Sequence, residues 1–456
     1  MFNQKPIQYI LLSVTLLFYL VIGFVFPRYE TSLLLLSYCI LFGIYCWIIF
    51  KVKEDQIQFW FYAAIVFRFS LLFSVPTLSD DFYRFIWDGR LLISGYHPFA
   101  HIPSYYVENN FSIPGIEEAL FANLNSKNYF TVYPPAAQFI FWISATCSSS
   151  IYGSLMIMKV IIFLSEIGSL VLIQKLLNHF KLPALRLFVY ALNPLVIVEL
   201  TGNLHLEGIM IFFLLLSLYL ITSDRFVLSA IAFAISVCIK LVPLLFLPAL
   251  LPLFGFKKAI SFYVSVLLTC LIFSLPLWDL KILTGYQNSI GYYFSRFEFN
   301  ASIYYVVREL GFSLFGYNII QPAGGILGIL ASILVLLVSS RWLRAHYPWC
   351  FKNLKNQFSS NDAVLTFIYI MMWSLLIFFL FTTTLHPWYI TTLLVLSVFT
   401  DFRFVIVWTA VIFLTYAGYD REAFRENLWI VAFEYASILG YLAYELVRKR
   451  SQELTA

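Results

Sequence analysis

The chain has 456 residues, of which 61% are hydrophobic and only 12% are charged. Soluble domains are about 45–50% apolar and about 25% charged, so this composition excludes a soluble, a nucleic-acid-binding and a secreted disulfide-framework protein. The net charge of +5 does not indicate a nucleic-acid partner, because membrane topology dictates where cations fall in such a chain. The six cysteines show no metal-ligand spacing and are interpreted as small core hydrophobes.

Apolar runs long enough to cross a bilayer recur along the whole chain. They predict an all-α polytopic membrane protein of about 12–14 transmembrane helices, with residues 1–456 forming a single integral-membrane domain. The predicted spans are residues 9–26, 31–50, 58–76, 153–177, 184–201, 206–222, 226–255, 259–277, 319–340, 363–383, 389–400, 404–419 and 428–447. The first run lacks a small-residue cleavage site and is therefore interpreted as a span.

Lysine and arginine concentrate in one set of loops, around Lys51, Lys181, Arg225 and Lys257 and in a loop at 341–362. The positive-inside rule assigns these loops and both termini to the cytoplasm. Most acidic residues fall in the opposite loops, which predicts that any carboxylate chemistry occurs on the extracytoplasmic face. The chain is therefore expected to be an integral, multi-pass membrane protein with its active site on that face.

Three segments interrupt the regular alternation of spans and loops. A crossing at 135–147 or at 302–318 would reverse the topology, so both segments are predicted to be re-entrant or interfacial. Lys240 and Pro243 divide the apolar run 226–255 into two short spans. Non-helical backbone survives at membrane depth only where it faces protein or a watery cavity, and these interruptions therefore predict a cavity that opens toward the outer leaflet.

One loop, residues 76–134, is far longer than the 2–8 residues that usually join packed helices. Its aromatic and apolar content argues against disorder. Apolar residues recur at helical spacing from Asp81 to Ser94, which predicts an amphipathic helix lying on the membrane surface. This loop is expected to carry function.

The long loop contains two adjacent carboxylates, Asp80 and Asp81, near its start. Adjacent carboxylates repel each other and can hold different protonation states, so one could act as a base while the other contacts a substrate. Ser79 or Asp80 could instead cap the surface helix by accepting hydrogen bonds from its free N–H groups. From the residues alone, capping is the favoured interpretation.

The residues around the two carboxylates form the pattern Ser-Asp-Asp-x-Tyr-Arg-x-x-Trp-Asp-Gly-Arg, starting at Ser79. Further motifs follow at 95–99, 133–135, 193–194, 202–205, 240–243 and 386–389. Together they resemble the integral-membrane glycosyltransferases of the GT-C superfamily, in particular the bacterial polyprenyl-phosphate-mannose-dependent mannosyltransferases. The likeness spans residues 68–390, and it reverses the preference for capping at the two carboxylates.

The resemblance implies a lipid-phosphate sugar donor and a general base on the first large outer loop. Asp81 matches that base, and Asp80 is its expected partner or an acceptor contact, at a position where the family pattern varies more. The base would remove the proton of an acceptor hydroxyl as the new bond forms. A single displacement inverts the anomeric carbon and needs no covalent carboxylate nucleophile.

The departing lipid phosphate needs cationic or hydrogen-bonding groups, and the candidates are Lys240, His386, Arg84 and Tyr389. Lys240 lies in apolar sequence, where a cation usually faces a cavity or a partner, although it could also snorkel to the interface. His386 and Tyr389 match the late histidine motif of the family, although an aromatic belt alone could explain the tyrosine. Arg84 could equally be an ion-pair partner of Asp81.

Candidates for sugar or acceptor contacts are Asp88, Asn203, His205 and Glu207. The last three could instead solvate a tight loop, and residues 297–300 are expected to line the acceptor side. His205-x-Glu207 and His97-x-x-x-His101 both lack a third ligand, so no metal site and no cofactor are predicted, although a divalent ion could assist.

Three further ionisable residues, Arg68, Lys159 and Glu166, fall inside predicted spans and are assigned structural contacts. The predicted function is transfer of a hexosyl unit, mannosyl by resemblance, from a polyprenyl-phosphate donor to a lipid-linked or envelope glycan acceptor. The expected partners are these two substrates and membrane lipids, with no nucleic acid. A transporter or flippase of a lipid-linked sugar is the alternative, but the sequence shows no repeated halves.

Overall fold

The computed structural model describes residues 5–279, 285, 287, 296–340, 360–421 and 423–454. Over these ranges the chain is helical, with two isolated β-bridges and no strand. Seven of the described helices are long and apolar enough to cross a membrane, or eight if one bent pair is a single span. The all-α polytopic architecture is confirmed. Of the predicted cytoplasmic loop 341–362, residues 341–359 lie outside the described residues.

The α-helices in chain order are α1 (Lys5–Phe24), α2 (Thr31–Lys51), α3 (Ile57–Ser70), α4 (Asp81–Ile93), α5 (Pro103–Glu108), α6 (Glu118–Ala122), α7 (Pro135–Cys147), α8 (Ile151–His179), α9 (Leu187–Ala191), α10 (Pro194–Val196), α11 (Glu207–Thr222), α12 (Phe226–Ile239), α13 (Leu250–Phe254), α14 (Phe256–Ser274), α15 (Ile303–Phe315), α16 (Ile320–Ser339), α17 (Ser360–Phe381), α18 (Ile390–Ser397), α19 (Phe404–Val411) and α20 (Leu428–Leu454). Short 3-10 turns cover Glu54–Gln56, Ala184–Arg186, Val242–Ala249, Leu275–Leu277, Pro387–Tyr389 and Ile412–Gly418, and Ile197–Gly202 is a π-helix. The predicted spans that are not full-length helices correspond to these shorter or interrupted elements.

The predicted interruption at Lys240 is confirmed. Helix α12 ends at Ile239, and Lys240 is extended, with φ −153° and ψ 136°. The next turn is the 3-10 helix Val242–Ala249, which contains Pro243 near its start and Pro248 inside it. Proline lacks a backbone N–H and therefore cannot continue an α-helical ladder. The side chain of Lys240 is thus placed on irregular backbone between two helical segments.

A second interruption, which the sequence analysis did not predict, divides the span 184–201. The segments Ala184–Ala191 and Pro194–Gly202 are bent by 49° relative to each other. The side chain of Asn193 caps the second segment by accepting a hydrogen bond of 3.0 Å from the N–H of Leu195. Pro194 occupies the first helical position, where its missing N–H costs nothing. The segment then ends in the π-helix, a geometry often found at functional sites.

Buried charges hold the helices around this second interruption. Arg68 forms a fully enclosed ion pair of 3.1 Å with Glu166 and also donates a hydrogen bond of 2.7 Å to the carbonyl of Ala191. Lys159 donates hydrogen bonds to the carbonyls of Leu71 and Ser74, at 2.8 and 2.6 Å. The structural role predicted for these three ionisable residues agrees with these contacts.

The predicted helix that starts at Asp81 is confirmed, but its expected position is corrected. Nine of its 13 residues are buried, including Arg84, Trp87 and Asp88. One face packs on α7, where the rings of Phe85 and Phe141 stack at 4.7 Å. The long loop covers other sides, so α4 is enclosed by protein and does not lie on a membrane surface with one free face.

Candidate active site

A cavity of about 1130 Å³ lies where α4 begins and where the backbone is irregular at 205–207, 239–242 and 382–389. The extended segment 125–134 of the long loop forms another wall. The site is therefore assembled from helix ends and interruptions, where polar side chains can face a cavity without breaking a helical ladder. Seven of the ten predicted site residues line it, namely Asp81, Arg84, His205, Glu207, Lys240, His386 and Tyr389.

The cavity has a polar end and an apolar arm. The polar end contains the seven residues just named, together with Asn125 and Tyr129. The apolar arm is lined by Leu241, Leu244 and Leu245, which follow the interruption at Lys240, and by Val335 and Leu336 of α16. Leu244 and Leu336 are 41% and 57% exposed, and α16 is apolar enough to cross a membrane. The arm is therefore lined by segments that expose apolar side chains.

Asp81 occupies the first position of α4, and its carboxylate faces the cavity. The amide nitrogen of Asn125 donates a hydrogen bond of 2.9 Å to Oδ1 of this carboxylate. Local sequence explains the placement, because the Ser79 hydroxyl accepts a bond of 3.3 Å from the Asp81 N–H. Asn125, which the sequence analysis missed, lies 44 residues away in a loop with no motif to reveal it.

Asp80 points elsewhere. Although it is the residue before the first turn of α4, its side chain makes no capping hydrogen bond. Its carboxylate instead pairs at 2.7 Å with Arg28, between α1 and α2, and it does not line the cavity. The two adjacent aspartates therefore have different surroundings.

Arg84 forms an ion pair with a carboxylate four residues later in the chain. Its Nε donates a hydrogen bond of 2.7 Å to Asp88, and its Nη1 donates one of 2.8 Å to the carbonyl of Tyr129. Asp88 is fully buried, also accepts a bond of 2.9 Å from Gln138, and does not line the cavity. Arg84 thus pairs with Asp88 and fixes the 125–134 wall.

Lys240 faces the polar end beside an acid and an aromatic ring. Its ammonium contacts the carboxylate of Glu207 and lies 3.9 Å from the ring centroid of Tyr389. The exposed fraction is 27% for the side chain of Lys240 and 4% for that of Glu207. An ammonium over an aromatic ring is stabilised by the ring quadrupole. Lys240 is therefore held in place with its charge toward the cavity.

Two imidazoles stack on the indole of Trp388. The ring of His205 stacks on one face at 3.7 Å, and the ring of His386 stacks at 4.5 Å with an interplanar angle of 2°. Burial, Lys240 and His205 together lower the pKa of His386 to about 3. The imidazole of His386 is therefore neutral at neutral pH and offers a hydrogen bond without a charge.

Asn203 belongs to a buried cluster behind the cavity. Its amide donates a hydrogen bond of 3.2 Å to Glu199, which also accepts one of 2.7 Å from the Tyr416 hydroxyl. Nε2 of His205 lies 3.4 Å from the same carboxylate. The sequence analysis missed Glu199, although a single acid inside an apolar run was the available signal.

The segment 297–300 contributes one residue to the cavity, Phe297. Glu298 is paired with Arg308 at 2.9 Å, and the Asn300 N–H donates a bond of 2.6 Å to Glu426. The backbone of Phe299 exchanges hydrogen bonds with the 383–385 segment, at 3.1 and 2.8 Å. This segment therefore braces the chain that leads into His386.

The two histidines of the pair His97 and His101, considered as metal ligands, make other contacts. His97 bonds the carbonyl of Leu277 at 3.0 Å, and His101 stacks on Tyr105 at 3.9 Å. Among the described residues, no group of three or more histidine, cysteine, aspartate or glutamate side chains is arranged to hold a metal ion.

A carboxylate, an ammonium and a neutral imidazole line one cavity that also has an apolar arm, within a polytopic membrane protein. The chain belongs to the alpha-(1->6)-mannopyranosyltransferase family, because the profile of its N-terminal domain matches residues 18–255, just over half of the chain. The resemblance to membrane mannosyltransferases is thereby confirmed at the level of the family. The matched segment includes Asp81 and Lys240, whereas His386 lies beyond it.

The chain is also similar to alpha-(1->6)-mannopyranosyltransferase A of Corynebacterium glutamicum, with 28% identity over 193 residues. This similarity covers 41% of the chain and 36% of the relative. The chain therefore matches about a third of the length of that relative.

Proposed function

We propose that this protein transfers a mannosyl unit from a polyprenyl-phosphate donor to a hydroxyl of a lipid-linked or envelope glycan acceptor. The transfer would occur on the extracytoplasmic face of a bacterial inner membrane. One observation carries the proposal, namely that a cavity with Asp81, Lys240 and His386 at its polar end also has an apolar arm lined by exposed leucines. A polyprenyl-phosphate sugar has the same two parts, a polar head and a long apolar chain.

Asp81 acts as the general base in this proposal. An acceptor hydroxyl enters the polar end and gives its proton to the Asp81 carboxylate while its oxygen attacks the anomeric carbon. Asn125 holds the carboxylate through the 2.9 Å hydrogen bond and thereby fixes its orientation. The bond between the anomeric carbon and the phosphate oxygen breaks, and its electron pair leaves with the phosphate.

Lys240, His386 and Tyr389 receive the phosphate. The ammonium of Lys240 supplies the positive charge, and neutral His386 can donate a hydrogen bond to a phosphate oxygen. Tyr389 keeps Lys240 oriented through the 3.9 Å contact with its ring. Arg84 contributes indirectly, because its guanidinium is committed to Asp88 and to the loop wall.

The name of the corynebacterial relative specifies an alpha-(1->6) linkage. We extend that linkage to this chain as part of the proposal. A single displacement inverts the anomeric carbon, so an α-linked product requires a donor in which mannose is β-linked to phosphate.

The test uses purified full-length protein, synthetic polyprenyl-phosphate β-mannose and a set of mannoside acceptors, with release of polyprenyl phosphate as the readout. Loss of a positioned general base costs about 10²–10⁴-fold in rate, which is the loss expected for Asp81→Asn. Asp80→Asn is the matched control, because its carboxylate pairs with Arg28 outside the cavity.

Full activity of a folded Asp81→Asn variant would contradict the proposed base. Absence of release with every sugar and acceptor, combined with movement of the labelled lipid across a vesicle membrane, would instead support the flippase alternative.

A further inference from the structure

The ion pair of Lys240 with Glu207 raises a question that the proposed function leaves open. A phosphate at the polar end must approach Lys240 while a carboxylate is already in contact with it. Glu207 is 4% exposed and lines the same cavity, whereas 27% of the Lys240 side chain stays exposed beside the carboxylate and the Tyr389 ring. An ammonium has three N–H donors, so it can hold the carboxylate and one phosphate oxygen together.

We propose that Glu207 is the internal counter-ion that makes this site bind the phosphodiester donor in preference to the phosphomonoester product. The inference rests on the proposed function, because it concerns the same phosphate site. It assigns Glu207 a role in specificity and product release rather than in contacting the sugar.

The charges around the polar end support this assignment. Lys240 and Glu207 together carry no net charge, and the charge of Arg84 is balanced by Asp88 at 2.7 Å. The two other charged residues that line the cavity, Asp81 and Arg296, are of opposite sign. A phosphodiester carries one negative charge, whereas a phosphomonoester, with a second pKa of about 6, carries close to two at neutral pH. Both attraction and repulsion scale with the product of the charges, so Lys240 attracts the monoester, and Glu207 repels it, about twice as strongly as the diester. Because the pair is neutral as a whole, the larger cost of removing a dianion from water then favours the diester.

The reaction converts one species into the other. When the bond between the anomeric carbon and the phosphate oxygen breaks, the electron pair stays on the phosphate and the acceptor proton goes to Asp81. The phosphate therefore gains a charge at the moment when it becomes the product. Glu207 lies beside Lys240 on the first turn of α11. Its negative charge then weakens the binding of that product.

Binding measurements test the inference without requiring turnover. A synthetic polyprenyl phosphate and its methyl phosphodiester are titrated into the purified full-length protein in detergent at pH 8. The wild type is expected to bind the diester more tightly. In Glu207→Gln, the negative charge beside the phosphate is lost. Monoester binding is therefore expected to tighten by about tenfold and diester binding by about threefold, which reduces the preference for the diester.

Two controls isolate the charge at this position. Glu207→Asp keeps the charge and is expected to retain the preference for the diester. Glu298→Gln removes the carboxylate of another ion pair, the one with Arg308, outside the cavity, and is also expected to retain it. Glu207→Met replaces the amide variant if the latter does not fold.

Unchanged or equally weakened binding of both lipids by the neutral variants would overturn the inference and leave the proposed function standing. Failure of the wild type to bind either lipid would overturn both. In turnover, Glu207→Gln is expected to give a rapid first transfer followed by a steady-state rate about tenfold lower, because product release is slowed. A first transfer slowed as much as the steady state would also contradict the inference.

Discussion

Two ion pairs in this protein are similar in composition but different in surroundings. Arg68 and Glu166 are both fully enclosed, and Tyr190 and the carbonyl of Ala191 bond the pair further. Lys240 and Glu207 lie at a helix interruption, face a cavity, and have 27% and 4% of their side chains exposed. The first pair joins regular helices, whereas in the second Lys240 lies on extended backbone and Glu207 begins α11.

This comparison separates stability from function. A buried ion pair that is enclosed by protein on all sides is out of reach of a ligand, so its removal is expected to affect folding. A charge that faces a cavity can exchange or share its partner, so its removal is expected to affect binding first. The predictions below set the two pairs against each other.

The largest effect is expected for Arg68→Met. This change leaves Glu166 charged and unpaired in the interior, and breaking such a pair typically costs about 3–5 kcal/mol. Thermal unfolding of the purified protein in detergent measures the loss, and the double variant with Glu166→Gln is expected to recover part of it. A melting temperature within error of the wild type would show that the enclosed pair is not a stabilising contact.

Lys240→Met is expected to lower kcat/KM for the lipid donor by about 100-fold, since the variant loses the charge that receives the phosphate. Its melting temperature is expected to fall less than that of Arg68→Met, because the partner Glu207 lines a cavity whereas Glu166 is fully enclosed. Lys258→Met, which removes a cation paired with Asp224 at 3.6 Å on an exposed surface, is the control. The comparison would be reversed if Lys240→Met had a much lower melting temperature but the kcat/KM of the wild type.

The same contrast explains how far the sequence could be interpreted. The α4 helix and the interruption at Lys240 follow from local spacing and from Pro243, and both are present in the structure. The partner of Lys240 lies 33 residues away and that of Arg68 lies 98 away. Such pairings depend on how helices pack, and local periodicity does not encode them.

Arg84 and Glu199 show two different reasons for incomplete prediction. Arg84 has carboxylates three residues before it and four residues after it, and both spacings place side chains on one helical face. Helix packing selects Asp88 as the ion-pair partner of Arg84. The neighbouring helix encloses Asp88, and Gln138 donates a hydrogen bond to it. Glu199 could have been recognised as an isolated acid in an apolar run, but its partners Asn203 and Tyr416 depend on the bend at residues 192–193.

A smaller effect is expected for Asn125→Ala. A hydrogen bond to a charged group contributes about 1.5–3 kcal/mol, of which part is recovered by water in an accessible cavity, so we expect kcat to fall about tenfold with KM unchanged. Asn123→Ala is the matched control, because that amide bonds only the carbonyl of Ala119 at 2.8 Å on the exposed side. An equal loss in both variants would show that the loop, and not the contact with Asp81, is responsible.

The smallest effect is expected for the pH dependence of the protein's stability. It arises from His386, in the loop between α17 and Pro387. Its pKa is lowered to about 3 by burial and by Lys240 and His205, whereas an unfolded histidine titrates near 6.5. Below pH 6.5 the unfolded chain therefore binds a proton that the folded chain does not, so stability falls with decreasing pH by about 1 kcal/mol per unit.

His386→Gln removes this dependence, and its melting temperature is expected to fall less than that of the wild type between pH 7 and pH 5. His179→Gln, at the end of α8 and away from the cavity, is expected to follow the wild type. Parallel curves for the wild type and His386→Gln would show that the imidazole takes up its proton in the folded protein, and the polar end would then hold two cations for the phosphate instead of one.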